Sequence, residues 1–162
     1  SAYPQMPLSS DLEMAKMYIS ELNTNLISNQ GTNLALALTR ASDFFSNDRS
    51  KKVLMLVTDG EDHEGGMEKA YTIIKEKNIE TLVLGIGTEK GGLVLENDQP
   101  RAAPVKDRHG NVVISKVNKS MLEAVAHALG GKVIVSSESF PKLSQFLTQI
   151  NTSSETNSVS GV

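Results

Sequence analysis

The sequence has no cysteine among its 162 residues. Disulfides, thiolate metal sites and cysteine nucleophiles are therefore excluded. It has no basic stripe, and a formal net charge of -3 argues against a nucleic-acid partner. No apolar run approaches the roughly 20 residues that a membrane-crossing helix needs. No secretory leader pattern is visible either, so a soluble domain is expected. His63, His109 and His127 are scattered without zinc spacing. There is no Gly-x-Ser-x-Gly elbow, so Ser9 and Ser10 read as a helix cap rather than a nucleophile. Gly85 and Gly87 lack the third glycine of a dinucleotide fingerprint, and no glycine-rich loop ends in lysine. Nor is there an acid/base pair at telling spacing or an internal repeat. An enzyme is not expected.

What is present is organised around residues 51–63. Five apolar residues, 53–57, run without a break and close on Thr58-Asp59-Gly60. The run is rich in valine and leucine and too short for a helix core. It reads as a strand buried on both faces of a parallel sheet. Its carboxyl end delivers Asp59 into a loop, at the sheet edge where open α/β folds bind ligands.

The rest of the chain alternates around that strand. Residues 3–8 contain two prolines, which confine them to a sheet edge or an extended lead-in. Ser9-Ser10-Asp11 starts a helix with Leu12, Ala15, Ile19 and Leu22 on one face. A polar loop, 28–33, opens a second helix carrying Leu34, Leu38, Ala41 and Phe45, widened by Leu36 and Ala37 and so expected to be largely buried. Asn47-Asp48 should stop it. A third helix carries Met67, Ala70, Tyr71 and Ile74 and ends at Asn78. Residues 80–86 read as a second parallel strand ending in Gly87-Thr88.

Residues 89–118 break the pattern with glycines, prolines and the turn 107–111, followed by valines and isoleucine. They read as an inserted β-hairpin. Asn118-Lys119-Ser120 starts a fourth helix with Met121, Leu122, Val125 and Leu129, capped by Gly130-Gly131. A short strand, 132–135, and a helix from Ser139 complete residues 1–150. Residues 151–162 read as a polar tail or linker. The whole is an α/β, doubly wound arrangement with helices on both sheet faces.

Taken alone, several residues carry two readings. Thr32 is a helix N-cap or an oxygen ligand. Asp59 is a turn residue beside Gly60 or a ligand. Glu61, Asp62 and Glu64 read as a solvated acidic loop at a helix N-terminus. His127 reads as structural or surface. The six methionines read as core filler, and Gly85 as a site of close packing.

Three segments together carry a resemblance: Gln30-Gly31-Thr32-Asn33 before a buried helix, 56–61 closing a strand, and Leu84-Gly85-Ile86-Gly87-Thr88. The ordered set resembles a von Willebrand factor A domain, a Rossmann-like sheet flanked by helices, over residues 2–150. More narrowly it is similar to the bacterial Bat, or aerotolerance-associated, proteins. There Thr-Asp-Gly-Glu-x-His-Glu-Gly, here 58–65, and Asp-x-x-Gly-Asn-Val-Val, near 107–113, recur.

The resemblance implies a divalent cation, magnesium or manganese, with Thr32 and Asp59 as ligands, and a partner carboxylate in the metal's open position. Such cations take oxygen ligands and keep waters. It further implies a membrane-anchored bacterial parent with this domain facing the periplasm and protein partners in the envelope. The family's Asp-x-Ser-x-Ser segment is absent, and Tyr3 matches the family's third, edge strand. The first two strands are thus expected to be missing and the metal site incomplete. The exposed edge of the 53–57 strand should then be covered by a second copy of the chain or by a rearranged segment. Alternative readings are a metal-independent scaffold that uses the hairpin, 100–117, as its contact surface, and a magnesium-dependent nucleotide-binding enzyme.

Overall fold

The structure is a computed structural model. It describes residues 2–22, 33–61, 65–95, 101–107, 109–137 and 144. Its elements run α1 (Leu12–Ser20), α2 (Leu34–Ser42), β1 (Lys52–Thr58), α3 (Met67–Glu76), β2 (Ile79–Ile86), β3 (Gly92–Leu93), β4 (Ile114–Ser115), α4 (Lys119–Ala128) and β5 (Lys132–Ser136). Strands β1, β2 and β5 form a parallel sheet in the order β1-β2-β5. The doubly wound α/β expectation holds: a parallel sheet flanked by helices.

Strand β2 is the centre because its residues are apolar on both faces. Thr81, Val83 and Gly85 alternate with Leu82 and Leu84, and all five are buried. On the Val83 side Ile74 and Ala70 of α3, Leu38 of α2, and Leu122, Val125 and Ala126 of α4 form one cluster. Each fully buried aliphatic side chain contributes about 1.5–3 kcal/mol of transfer free energy. Gly85 is glycine for a packing reason: a Cβ there would land on Leu122 Cδ1 and come within 3.3 Å of Val135.

The helix ends follow the expected chemistry. Asp11, Asn33 and Asn118 each accept a backbone N–H from the first turn, from Met14, Leu36 and Met121 respectively. Asn78 closes α3 with φ of 51°. Gly130 and Gly131 close α4, with Gly131 N–H donating to Ala126 O at 2.8 Å. The second helix stops at Ser42, earlier than Asn47. Phe45 therefore lies beyond the helix, although it still packs on the core.

The inserted hairpin is present. β3 and β4 pair antiparallel, and bridges Leu95↔Pro104 and Lys106↔Val112 extend the ribbon. Asp107 organises the tip: its Oδ1 accepts from His109 N–H at 2.8 Å and Asn111 N–H at 2.9 Å. These bonds, led by that from the Asn111 backbone, hold the Asp107 carboxyl below the usual carboxylate range.

Four expectations need correction. The 53–57 run is not buried on both faces. Leu54 and Leu56 face the core, but Met55 and Val57 are exposed, at 38% and 58%. β1 is an edge strand, so nothing among the described residues covers its outer side. Of the two readings of residues 3–8, the sheet edge is not met and the lead-in is: they form no strand, and Tyr3, Pro4 and Met6 flank Ala37, Ala41 and Phe44 of the α2 region. The periodic face of α1 is real but buries nothing, with Leu12, Ile19 and Leu22 all exposed, and Leu36 of α2 also faces outward. Met67 and Met121 pack on the core, whereas Met17 and Met55 do not fill it. The helix expected from Ser139 lies, apart from Ser144, outside the described residues, as does the tail 151–162.

Candidate functional site at the carboxyl edge of the sheet

The parallel register aligns Thr58 with Gly85 and Ile86 with Ser136. The carboxyl ends of all three strands therefore share one edge of the sheet. Asp59 is the first residue past β1 and is half-buried. Its backbone carbonyl accepts from Asn118 N–H at 2.8 Å, which ties the end of β1 to the start of α4. Its Oδ1 accepts from Glu61 N–H at 3.0 Å, and Thr58 Oγ1 accepts from Gly60 N–H at 3.1 Å.

Gly60 sits at φ 84°, and a Cβ there would meet Asn118 O at 2.8 Å and Leu122 Cγ at 3.0 Å. Only glycine accommodates both the left-handed turn and the close approach of α4. The turn and ligand readings of Asp59 are thus compatible. One carboxylate oxygen orders the turn, while the other has no hydrogen-bond partner among the described residues.

Thr32 lies outside the described residues, so the structure places Asp59 but not its proposed companion. The acidic loop is likewise placed only at Glu61; Asp62, His63 and Glu64 lie outside. Both readings of Thr32 lie outside the described residues; within them, Asn33 caps α2, its Oδ1 accepting from Leu36 N–H at 2.7 Å. Among the described residues no three His, Asp or Glu side chains converge as a metal cage. The donor present at this edge is a carboxylate oxygen, the type that hard divalent cations take. His127 is exposed on the surface of α4.

Two contributors to this edge were not foreseen. Asn118, read only as part of a helix start, holds Asp59 in position through its backbone N–H. Lys90, past the end of β2, and Lys119, at the start of α4, line one pocket although they are far apart in sequence. The Asn-x-x pattern before an apolar helix could have identified the first. No local pattern signals the second, since convergence depends on the register of β2.

An open parallel α/β sheet with a half-buried aspartate at the carboxyl end of its edge strand is an arrangement of the doubly wound class, in which ligands commonly bind at that edge. A family model of the von Willebrand factor type A domain matches residues 1–149, and the chain belongs to that family. Among solved structures it is similar to the conserved hypothetical protein BatB from Bacteroides thetaiotaomicron. The TM-score is 0.83 and the identity 27%, over 94% of this chain and 74% of that one. It is also similar to an aerotolerance-related membrane protein from Bacteroides fragilis, with a TM-score of 0.81 and 28% identity, over 93% of this chain and 74% of that one. A search of curated proteins returns no match. No helix among the described residues is long and apolar enough to cross a membrane.

Proposed function

We propose that this domain is a protein-interaction module that receives a carboxylate from a partner at the carboxyl edge of the sheet, through a divalent cation held in part by Asp59 and Thr32. The observation that carries this reading is the Asp59 carboxylate. It is fixed by the Glu61 N–H on one oxygen and by Asn118 through its main chain, and its second oxygen has no hydrogen-bond partner among the described residues.

A bound magnesium or manganese ion would supply an open coordination position for an oxygen ligand. The chain's own residues orient the aspartate and set the edge at which a partner docks. This sequence holds no Asp-x-Ser-x-Ser segment, so one carboxylate and one hydroxyl should bind a cation only weakly. A Mn2+ titration followed by electron paramagnetic resonance tests this. The expected result is weak binding that Asp59→Ala removes without changing the melting temperature. Equal Mn2+ binding by Asp59→Ala would overturn the assignment.

In keeping with the membrane description of the Bacteroides fragilis relative, we place the parent at a bacterial membrane, facing the periplasm, with envelope proteins as partners. The exposed apolar ribbon of the hairpin favours a second, metal-independent contact: Leu93, Leu95, Val112 and Ile114 are all exposed. A second copy of the chain at the open β1 edge is the further partner proposed, because an unpaired apolar strand edge is a template for pairing.

A further inference from the structure

A second feature at the same sheet edge has chemistry of its own. Past the end of β2, Gly87 N–H donates to Ser136 O at 3.0 Å, and Val117 N–H donates to Thr88 O at 3.2 Å. These bonds hold the β2 exit, the β5 exit and the lead into α4 around a pocket of about 490 Å³. Gly87 and Val117 are among its lining residues. At Gly87 φ is 143°, and a Cβ would press on Val117 Cβ at 3.2 Å, so glycine lets the β2 exit pack closely against the lead into α4.

The rim is cationic. Lys90 and Lys119 both line the pocket, with the hydroxyl-bearing Thr88 and Ser137 and with Glu89 as the single described acid. In a chain of net charge -3, two ammonium groups converge against one carboxylate. Among the described residues neither lysine forms an ion pair; the two described pairs are Lys16–Glu13 and Lys51–Glu80, elsewhere on the molecule. The first turn of α4 carries Lys119 and no acid, so no side chain of that turn offsets the lysine. Among the described lining residues, two ammonium groups therefore stand against one carboxylate.

We propose that this pocket is a docking point for a carboxylate of an acidic protein segment, held by Lys90 and Lys119 and independent of any metal. The donors select the anion. Phosphate recognition favours forked guanidinium groups or a nest of free backbone N–H groups. Here no arginine lines the pocket, and the Gly87 and Val117 N–H groups are already donated within the fold. The lining side chains offer two flexible point charges and two hydroxyls, which suit the single exposed head group of a glutamate or aspartate. Lys119 directly follows Asn118, whose N–H binds the Asp59 carbonyl. A partner with two acidic side chains a few residues apart could therefore engage both points. That pairing rests on the metal-dependent reading above, whereas the pocket itself does not.

The test is a 1H–15N titration of the 162-residue chain with an end-blocked hexaglutamate peptide in excess EDTA, with hexaglutamine as the neutral control. Shifts are expected at the amides of Thr88, Lys90, Lys119 and Ser137 with hexaglutamate only. Exposed charge pairs each change affinity roughly twofold to fivefold, so Lys90→Ala with Lys119→Ala should weaken binding about tenfold. Both lysines are exposed, so an unchanged circular-dichroism melting curve should show that the double variant folds. Equal response to hexaglutamine, unchanged affinity in the double lysine variant, or tighter binding of inorganic phosphate would each overturn the proposal. Failure of Mn2+ to depend on Asp59 would leave this result intact, so the two readings fail separately.

Discussion

At the scale of single residues, Gly60 and Gly65 offer a controlled comparison. Both have positive φ, 84° and 63°, so both need a conformation that costs an L-residue about 1–2 kcal/mol. Only Gly60 is also crowded, by Asn118 O and Leu122; nothing lies within 4 Å of a Cβ at Gly65. Gly65→Ala should cost about 1 kcal/mol and Gly60→Ala about 2–3 kcal/mol in urea unfolding. Equal losses would mean that the packing of α4 on the Asp59 turn is looser than described.

Asp48 makes a pH prediction. The Ser50 hydroxyl, then the Ser46 hydroxyl and the Ser50 N–H, donate to its carboxylate and lower its pKa from 3.8 to about 2. A depressed carboxylate stabilises the fold above its unfolded pKa, and that contribution disappears as pH falls through the folded one. The window is therefore about pH 4 to pH 2. Carboxyl 13C shifts should titrate near 2 in the native chain, and Ser50→Ala should move the midpoint upward. Features of this local kind were legible in the sequence. Asp11, Asn78 and the Thr58-Asp59-Gly60 turn act within a few residues of themselves. The anchoring of Asp59 by Asn118 was not legible, because it spans an insertion and a strand crossover.

At the scale of elements, periodicity gave the helices and strands their identities but not all of their environments. The residues 53–57 form a strand as expected, yet an uninterrupted apolar run reports only that a strand is apolar. Whether both faces are covered depends on neighbouring strands and helices. β1 is at an edge, so Leu54 and Leu56 meet the core while Met55 and Val57 meet solvent. The same argument applies to α1, whose apolar stripe forms a helix without a partner among the described residues.

A pair of substitutions separates the two situations. Ile74 is 0% exposed at the centre of the cluster, and Ile74→Ala should cost about 2–5 kcal/mol. Met55→Lys replaces an exposed side chain and should change stability by no more than about 0.5 kcal/mol. A large loss from Met55→Lys would show that the outer face of β1 is covered within one chain.

At the scale of the whole molecule, that tolerance makes Met55 a probe of assembly. β1 spans Lys52–Thr58, and Met55 is its middle residue. Closed pairs of identical chains are usually related by a two-fold axis, which sets the same patch on both copies against itself. Two β1 edges paired antiparallel about such an axis would centre on Met55 and place it opposite its own counterpart. The exposed Val57 of each strand would then extend an apolar surface across the new six-stranded sheet. Sedimentation velocity should show concentration-dependent dimers.

Like charges directly opposite one another across strands are destabilising, so Met55→Lys should shift the equilibrium toward monomer. Added salt should restore dimers in part, because exposed charges are screened. Met55→Leu keeps the apolar contact and should dimerise like the parent sequence. Because Met55→Lys leaves the single chain folded, loss of dimer cannot be attributed to unfolding. A monomer at every concentration, or dimers indifferent to the lysine, would exclude the β1 edge as the contact and leave the hairpin ribbon as the apolar surface to test next.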